Sequence, residues 1–510
     1  MENKQTLSNI AVPAGRQVSR PPVVVIMGHV DHGKSTLLDY IRKTNIVEGE
    51  AGGITQNISA YEVSHQDENG KNRLITFIDT PGHEAFSKMR CRGAKAADIA
   101  ILIVSAEDSV KAQTIEAHET IVESKIPYIV AINKVDKPNA NVEKTKNDLV
   151  TKGIYLEGLG GDIPFVPISS KAGTGINELL DMILLVADLN DFTGDKDANA
   201  SGVIIEAHRE PKRGISATCL ILNGSLESGM FVVSGNTLVT TRIMESFLGK
   251  PIKSASFSSP IRLVGFDEIP EVGNIFTSFK NKKEAEKYRE EQNLKNKNNF
   301  SSKEQFENCK KIIPLTIKTD VMGTIEAIEK EIEKLNTEEI SFRIVSKGVG
   351  AISESDLKMA NVDKESIIVG FNVKIDAGAR DLNETLGINV QLFDIIYKLT
   401  DWLKIILEER RPRCEVLEVT GALRVLKLFS ETKDKQVIGG KVENGRIVDG
   451  GVVRIMRKDF EIGRGKIVGL QHNKIKSKEI LEGTECGMQV ESKIDIAPGD
   501  ILEAFITTVK

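Results

Sequence analysis

Residues 22–35 read Pro22-Val23-Val24-Val25-Ile26-Met27-Gly28-His29-Val30-Asp31-His32-Gly33-Lys34-Ser35. The apolar run Val23 to Met27 predicts a strand buried on both faces, and Lys34 to Arg42 predicts a helix. Between them, Gly28 to Ser35 fits G-x-x-x-x-G-K-[ST] in the strand–loop–helix context that this motif requires. Glycines let main-chain N–H groups wrap phosphate oxygens, and the helix N-terminus adds the positive end of its dipole. Lys34 supplies a point charge for β- and γ-phosphates, Ser35 supplies a hydroxyl ligand for Mg²⁺, and Thr36 completes the first turn. This stretch decides the first domain, an α/β nucleotide-binding fold.

Further strand-sized runs follow at α/β spacing: Leu74–Ile78, Ile99–Val104, Tyr128–Ile132 and Phe165–Ile168. Continuous apolar runs of this kind predict a parallel sheet covered on both faces, and ligands of such sheets sit at the strand ends. Asp79-Thr80-Pro81-Gly82 closes one strand, so Asp79 is placed for the Mg²⁺ shell, through water, and the Gly82 amide for the γ-phosphate. Asn133-Lys134-Val135-Asp136 closes another. A carboxylate there accepts two hydrogen bonds from guanine N1–H and its amine, whereas adenine would leave a buried Asp136 unpaired. Ser169-Ser170-Lys171, after the next strand, offers donors to the base carbonyl. In this order the elements specify GTP and its product GDP. Gly52-Gly53-Ile54-Thr55 precedes the strand-like Ile58–Val63 and offers Thr55 as a switch-loop Mg²⁺ ligand. His83 follows Gly82 directly and is the candidate catalytic residue, positioning the attacking water. His29 and His32 read as spacers within the phosphate loop.

The chain has 510 residues, 40% hydrophobic and 28% charged, with a formal net charge of −5. That length predicts about three or four domains. No apolar run approaches the roughly 20 residues of a membrane span, and the polar stretch Met1 to Gly15 has no signal-peptide core. Cys91, Cys219, Cys309, Cys414 and Cys486 show no metal-ligand spacing, so they read as reduced thiols of a cytoplasmic protein. Charge is uneven: residues 21–190 carry 17 basic and 23 acidic residues, residues 281–311 nine and six, and residues 411–510 18 and 15. These excesses are too mild to establish a nucleic-acid surface.

The texture beyond the first domain predicts a multidomain α/β architecture. Residues 1–19 read as a disordered tail, 20–190 as a P-loop GTPase domain, and 198–280 as a β-barrel. Residues 281–311 read as a polar helix and linker, helical through Glu291 and disordered from Gln292 to Lys303. An αβα domain over 312–388 precedes a long connecting helix over 389–411, and a second β-barrel spans 412–510.

With Gly28–Ser35 and Asp79-Thr80-Pro81-Gly82-His83-Glu84, the sequence resembles the translational GTPases. More narrowly, Arg20-Pro21-Pro22-Val23-Val24, Glu50-Ala51-Gly52-Gly53-Ile54-Thr55-Gln56 and Gly82-His83-Glu84-Ala85-Phe86 resemble bacterial translation initiation factor two. So do Gly348-Val349-Gly350-Ala351-Ile352, Gly370-Phe371-Asn372-Val373 and Glu485-Cys486-Gly487. The resemblance runs from about Arg20 to the C-terminus, in a short form without a long N-terminal extension. It implies a monomer that brings initiator formylmethionyl-tRNA to the small ribosomal subunit and promotes joining of the large one. It also implies GTP hydrolysis when ribosomal RNA contacts the factor, other initiation factors as partners, and no membrane. His83 would then orient water, with Val30 in an apolar gate beside it. The terminal barrel would hold the aminoacyl end through Glu485, Cys486, Gly487, His472 and Lys474. The chain departs from the family in two places there. Lys441 stands where many relatives carry cysteine, and Gln471-His472-Asn473 where they carry Lys-Arg-aromatic, so Lys474, Lys476 and Lys478 supply charge without bidentate or stacking geometry. Two other readings remain at this point: a GTPase carrying elongator or special aminoacyl-tRNA, and a non-catalytic nucleotide-gated module on the ribosome.

Overall fold

A computed structural model describes residues 17–42, 56–67, 70–210, 212–297, 311–337, 339–411, 415–432, 435–458, 460–472 and 475–509. The chain divides into two compact units, Met1–Arg410 and Arg411–Lys510.

The first unit opens on strands β1 (Gln17–Ser19), β2 (Val23–Gly28), β3 (Ser59–Gln66), β4 (Asn72–Asp79), β5 (Ile99–Ser105), β6 (Tyr128–Asn133), β7 (Phe165–Pro167) and β8 (Thr193–Asp195). Helices α1 (Lys34–Arg42), α2 (Ser87–Ala96), α3 (Ala112–Ser124), α4 (Val142–Thr151) and α5 (Ile176–Asn190) connect them. Six strands form one sheet in the order β3-β4-β2-β5-β6-β7. β2 and β5 are buried along their whole length, as the unbroken apolar runs require of strands covered on both faces. The sheet is not wholly parallel. β3 joins β4 antiparallel at the edge, where its mixed exposure suits a strand with one open side. Neither is residues 1–19 wholly a tail: β1 pairs with β8, Gln17 opposite Asp195, and residues 1–16 lie outside the described set. The phosphate loop follows β2, Asp79 ends β4 and Asn133 ends β6, so the carboxyl ends of the strands gather the motifs on one rim.

Residues Ser201–Phe279 form a seven-stranded antiparallel sheet around a core that includes Ile204, Cys219, Val232, Leu263 and Phe276. The helix Lys282–Lys297 follows. It runs six residues past the predicted end at Glu291; before that point Arg289 pairs with Asp267 and Phe279 packs on Tyr288, anchoring the helix to the sheet. Most of the predicted linker, residues 298–310, lies outside the described residues. Next comes a parallel four-stranded sheet of Lys311–Thr319, Ile340–Val349, Ile367–Phe371 and Asn389–Phe393. The helix Met322–Leu335 packs against it through Ile325, Ile328 and Ile332, spaced at helical period. The predicted long helix from Asn389 is split: Asn389–Phe393 is the fourth strand, paired with Ile367–Phe371, and the helix is Ile396–Arg410. Helical periodicity from Ile396 onward masked a short strand whose pairing partner lies across the intervening helix Ala377–Leu386.

The second unit is a closed six-stranded antiparallel barrel. Glu415–Thr432 pairs with both Ile501–Val509 and Lys435–Val448, and Val452–Arg457, Phe460–His472 and Glu485–Glu491 complete the circuit. Leu423, Ile438, Val453, Ile467, Met488 and Leu502 fill its interior.

Candidate functional site: a nucleotide cleft and a barrel cavity

Gly33 adopts φ +89, and a Cβ there would lie 2.3 Å from Asn133 Nδ2. Glycine is therefore needed for both reasons, conformation and close approach. The phosphate loop is held down by its neighbours. Asn133 Nδ2 donates to the His32 carbonyl at 2.8 Å, while its Oδ1 accepts from Ser170 N at 3.0 Å and Ser170 Oγ at 2.9 Å. One side chain thus ties together the predicted phosphate-binding and base-binding segments. His32 is more than a spacer: it is fully buried, and its Nδ1 accepts from Ser105 N at 3.3 Å at the end of β5. Burial pushes its imidazole down to about 4, so it is neutral and suited to accept that N–H. His29 stacks edge-on against it, ring centroids 4.9 Å apart, and the Val30 amide donates to Gln113 Oε1.

Lys34 is buried in the floor of the cleft, its ammonium donating to the carbonyls of Gly28 at 2.9 Å and His29 at 2.7 Å. Burial lowers its pKa to about 8, against the pull of Asp79. An anion brought beside it raises that pKa again and favours the charged form further. A Cβ on Gly82 would meet Lys34 Nζ at 2.4 Å, so a side chain there would displace the lysine ammonium from its place. Asp79 is 5% exposed, Thr80 is fixed by Oγ1 donating to the Ile26 carbonyl at 2.9 Å, and the Pro81 carbonyl accepts from Arg90 at 3.2 Å.

At the other end, Ser169 Oγ donates to Asp136 Oδ1 at 2.6 Å, and this hydroxyl, foremost among several causes, holds the carboxyl below its usual range. The expected burial of Asp136 is not present: its carboxylate is exposed at the mouth of the cleft, and a base seated against it would supply the cover. Lys134 is held at φ 64, and Lys171 lines the cleft. Val135 is half-buried against the core, its amide donating to the Ile168 carbonyl. The cleft has a volume of about 290 Å³ and is lined by Asp31, Lys34, Ser35, Thr36, His83 and Asp136 among others. Thr55 lies outside the described residues.

His83 caps the single 3₁₀ turn Glu84–Phe86, its Nδ1 accepting from Ala85 N at 3.0 Å. The neutral ring therefore carries its proton on Nε2, and burial lowers its pKa further from protonation at neutral pH. Three elements that the motif reading missed brace this turn. Arg90, 2% exposed, donates to the His83 carbonyl and pairs with Glu116. Lys330 donates to the Glu84 carbonyl at 3.0 Å. Tyr397, on the helix Ile396–Arg410, lines the cleft and meets His83 edge-on with ring centroids 4.6 Å apart. The Gln56 side chain adds another tie: Nε2 donates to the Asp394 carbonyl at 2.9 Å and Oε1 accepts from Ile396 N at 3.3 Å. No local motif marks Tyr397, which lies more than 300 positions along the chain; only the fold brings it to the cleft.

In the second unit, a cavity of about 390 Å³ is bordered by Leu426, Phe429, Val437, Gln471, Glu485 and Cys486. Gly440 stands opposite Cys486 and Lys441 opposite Glu485 on adjacent strands. Cys486 is 7% exposed, and burial pushes its thiol up to about 11, so it is an apolar wall and not a nucleophile. His472 Nδ1 donates to the Glu485 carbonyl at 2.9 Å, and Gly487 lines the same cavity. Lys474 lies outside the described residues.

Set against known families, residues 20–188 match the Elongation factor Tu GTP binding domain, residues 199–279 Elongation factor G domain 2, and residues 285–404 Translation-initiation factor 2. With the cleft at the strand ends, these matches define a translational GTPase. Translation initiation factor IF-2 of Bacillus subtilis is 40% identical over 498 residues, 96% of this chain and 69% of its own length. The Kosmotoga olearia protein of the same name is 42% identical over 504 residues, 96% of this chain and 72% of its own. The chain belongs to the translation initiation factor IF-2 family. It spans half the length of the Desulforamulus reducens relative, at 41% identity. A crystal structure of GDP-bound aIF5B from Aeropyrum pernix aligns over 96% of this chain and 92% of its own, at 25% identity and a TM-score of 0.47.

Proposed function

We propose that this chain binds GTP, brings initiator formylmethionyl-tRNA to the small ribosomal subunit, promotes joining of the large subunit, and hydrolyses GTP when ribosomal RNA contacts it. It would act as a cytoplasmic monomer beside other initiation factors; among the described residues no helix is long and apolar enough to cross a membrane. The observation that carries this reading is the convergence of Lys34, Gly82 and His83 on one end of a cleft whose other end holds Asp136 and Ser170. Phosphates belong at the first end and guanine at the second.

In this reading, the Gly28–Ser35 amides and the N-terminus of α1 hold the β-phosphate, and Lys34 bridges to the γ-phosphate. Asp136 accepts guanine N1–H and the exocyclic amine, Ser170 and Lys171 face the base carbonyl, and Lys134 lies along its plane. Ser35, Thr55 and Asp79, the last through water, would hold Mg²⁺. The donors are hard oxygens, which suits Mg²⁺. Bound there, Mg²⁺ neutralises charge on the phosphates.

His83 has its proton on Nε2 because Nδ1 is engaged by Ala85 N–H. In this orientation it holds water by donating to it and does not abstract its proton. Val30 lines the same end of the cleft and would screen the ring. Tyr397, against the His83 ring, ties its position to the helix Ile396–Arg410. In the terminal barrel the Cys486 cavity, with Glu485, Gly487, His472 and Lys474, would take the formylmethionyl end, with apolar Phe429 and Leu426 suited to a methionine side chain.

The test is ribosome-stimulated phosphate release with and without charged initiator tRNA, for the native chain and His83→Ala. The expected result is unchanged nucleotide affinity and a loss of about 100-fold or more in stimulated turnover in the variant, the range of a lost positioning group. Equal turnover in the two proteins would remove His83 from the reaction. No stimulation in the native chain would favour a non-catalytic module, and tighter binding of elongator tRNA would overturn the initiator assignment.

A further inference from the structure

Asp394 to Tyr397 form the corner between the strand Asn389–Phe393 and the helix Ile396–Arg410. This corner touches both segments to which the function above assigns metal and water. The Asp394 carbonyl accepts from Gln56 Nε2 at 2.9 Å, and Ile396 N donates to Gln56 Oε1 at 3.3 Å, so the residue next to Thr55 is held through both ends of its amide. On the next turn Tyr397 meets the His83 ring, the two planes at 83° and the centroids 4.6 Å apart. The helix Met322–Leu335 reaches the same turn. Lys330 donates to the Glu84 carbonyl at 3.0 Å and to Ser87 Oγ at 2.8 Å, and Lys334 pairs with the Glu84 carboxylate at 3.0 Å.

The braces on the His83 turn are of two kinds. Arg90, inside the GTPase region, is 2% exposed and donates to the Pro81 and His83 carbonyls. Bonds of that kind last as long as the core does. Those from the αβα region are open to water: Tyr397 is 45% exposed, and the Lys334 and Glu84 side chains are 41% and 54% exposed. An exposed ion pair is weak, is screened by salt and yields to a competing anion, and a half-exposed ring contact gives up little when it parts. An RNA backbone is such an anion.

Of the described contacts on the His83 ring, those with Ala85 N and with Phe86 lie within its own turn, and the one with Tyr397 comes from outside the GTPase region. A GTPase that waits for ribosomal RNA has to keep this ring off the attacking water until then. A restraint within the turn would act in both states, whereas one lent by a neighbouring region through weak, exposed contacts can be withdrawn. We propose that Tyr397 is a positioning residue that restrains the reaction: in the free chain it holds His83 short of the attacking water, Lys330 and Lys334 steady the same turn, and ribosomal contact that draws the corner away releases the ring. Gln56, clasped by the same corner, would free the Thr55 loop in the same movement. This inference rests on the GTPase reading above and adds the regulation of its catalytic residue.

Phosphate release is followed from the full chain at saturating GTP, first without ribosomes and then with them. Without ribosomes, Tyr397→Ala should be faster than the native chain by about fivefold, the scale of one aromatic contact. Tyr397→Phe keeps the ring and should return the slow rate. Adding His83→Ala to Tyr397→Ala should remove the gain. Lys330→Ala together with Lys334→Ala loosens the turn from the surface and should also raise the rate, by about twofold. With ribosomes, Tyr397→Ala and the native chain should converge, the trigger having already withdrawn the restraint. The proposal falls if Tyr397→Ala is no faster than the native chain without ribosomes, if Tyr397→Phe is as fast as Tyr397→Ala, or if the gain survives the loss of His83. A folding defect lowers activity and does not imitate a gain that depends on His83. If Tyr397→Ala melts below the assay temperature, the lysine pair decides by the same criterion. A ribosome-stimulated rate that depends on His83, with no gain in Tyr397→Ala, strikes this inference alone; equal stimulated rates in the native chain and His83→Ala strike the reading beneath it.

Discussion

Asn133→Ala tests how the two ends of the cleft are joined. The side chain is 1% exposed and makes three hydrogen bonds, one to the His32 carbonyl and two to Ser170. Alanine removes all three and leaves the His32 carbonyl and the Ser170 amide without those partners. At about 1 kcal/mol net for each bond, the loss is about 3 kcal/mol. If the nucleotide-bound state requires both loops in place, GDP affinity should fall by about 100-fold, since 1.4 kcal/mol is one decade. The loss should appear mainly as faster release. Ser170→Ala removes only the hydroxyl bond and keeps the amide bond, so a fall of about fivefold is expected, matching about 1 kcal/mol. The assay is displacement of a fluorescent GDP analogue in a stopped-flow instrument, with melting curves of the nucleotide-free proteins alongside. If Asn133→Ala releases GDP within about threefold of the native rate and melts at the same temperature, the bonds do not couple the loops and the reasoning fails. If it melts lower but binds normally, the bonds serve the fold alone.

Asp136→Asn should shift preference from guanine to xanthine, whose C2 oxygen accepts from the new amide; unchanged GTP affinity in a competition titration would exclude Asp136 as the base reader. Glu206 gives a pH signature. Its carboxyl is held up to about 8 when folded against an ordinary value near 4.5, so between those values the folded chain binds more protons and stability falls as pH rises. Melting temperature followed from pH 4.5 to 8 should show a shallower decline in Glu206→Gln than in the native chain; parallel curves would rule out that origin. Cys486, held up to about 11, should alkylate slowly at pH 8, its thiolate fraction being about a thousandth. Rapid labelling located to Cys486 by mass spectrometry would contradict its place in the barrel wall.

The phosphate loop was legible because its chemistry is local. Gly28, Gly33, Lys34 and Ser35 occupy fixed offsets between a strand and a helix, and the strand is recognisable from Val23 to Met27 alone. Asp79 and Asn133 were placed by the same logic, each directly after an apolar run. The errors fell where local pattern and distant pairing disagree. Asn389–Phe393 reads as the start of a helix until Ile367–Phe371 is beside it, and β1 reads as tail until β8 pairs with it. His32 looked like a spacer because nothing in the sequence says that Ser105, 73 positions away, donates to its ring.

The sequence by itself determined the order of domains, the guanine-nucleotide motifs and the candidate catalytic histidine, because each rests on residues within one strand, loop or helix of one another. Tertiary structure alone decided what surrounds them: Tyr397 over His83, Gln56 clasping Asp394 and Ile396, and Asn133 tying two loops. These are meetings of residues separated by between 37 and 340 positions, and their energies arise from burial and hydrogen-bond geometry that exist only when the chain is folded.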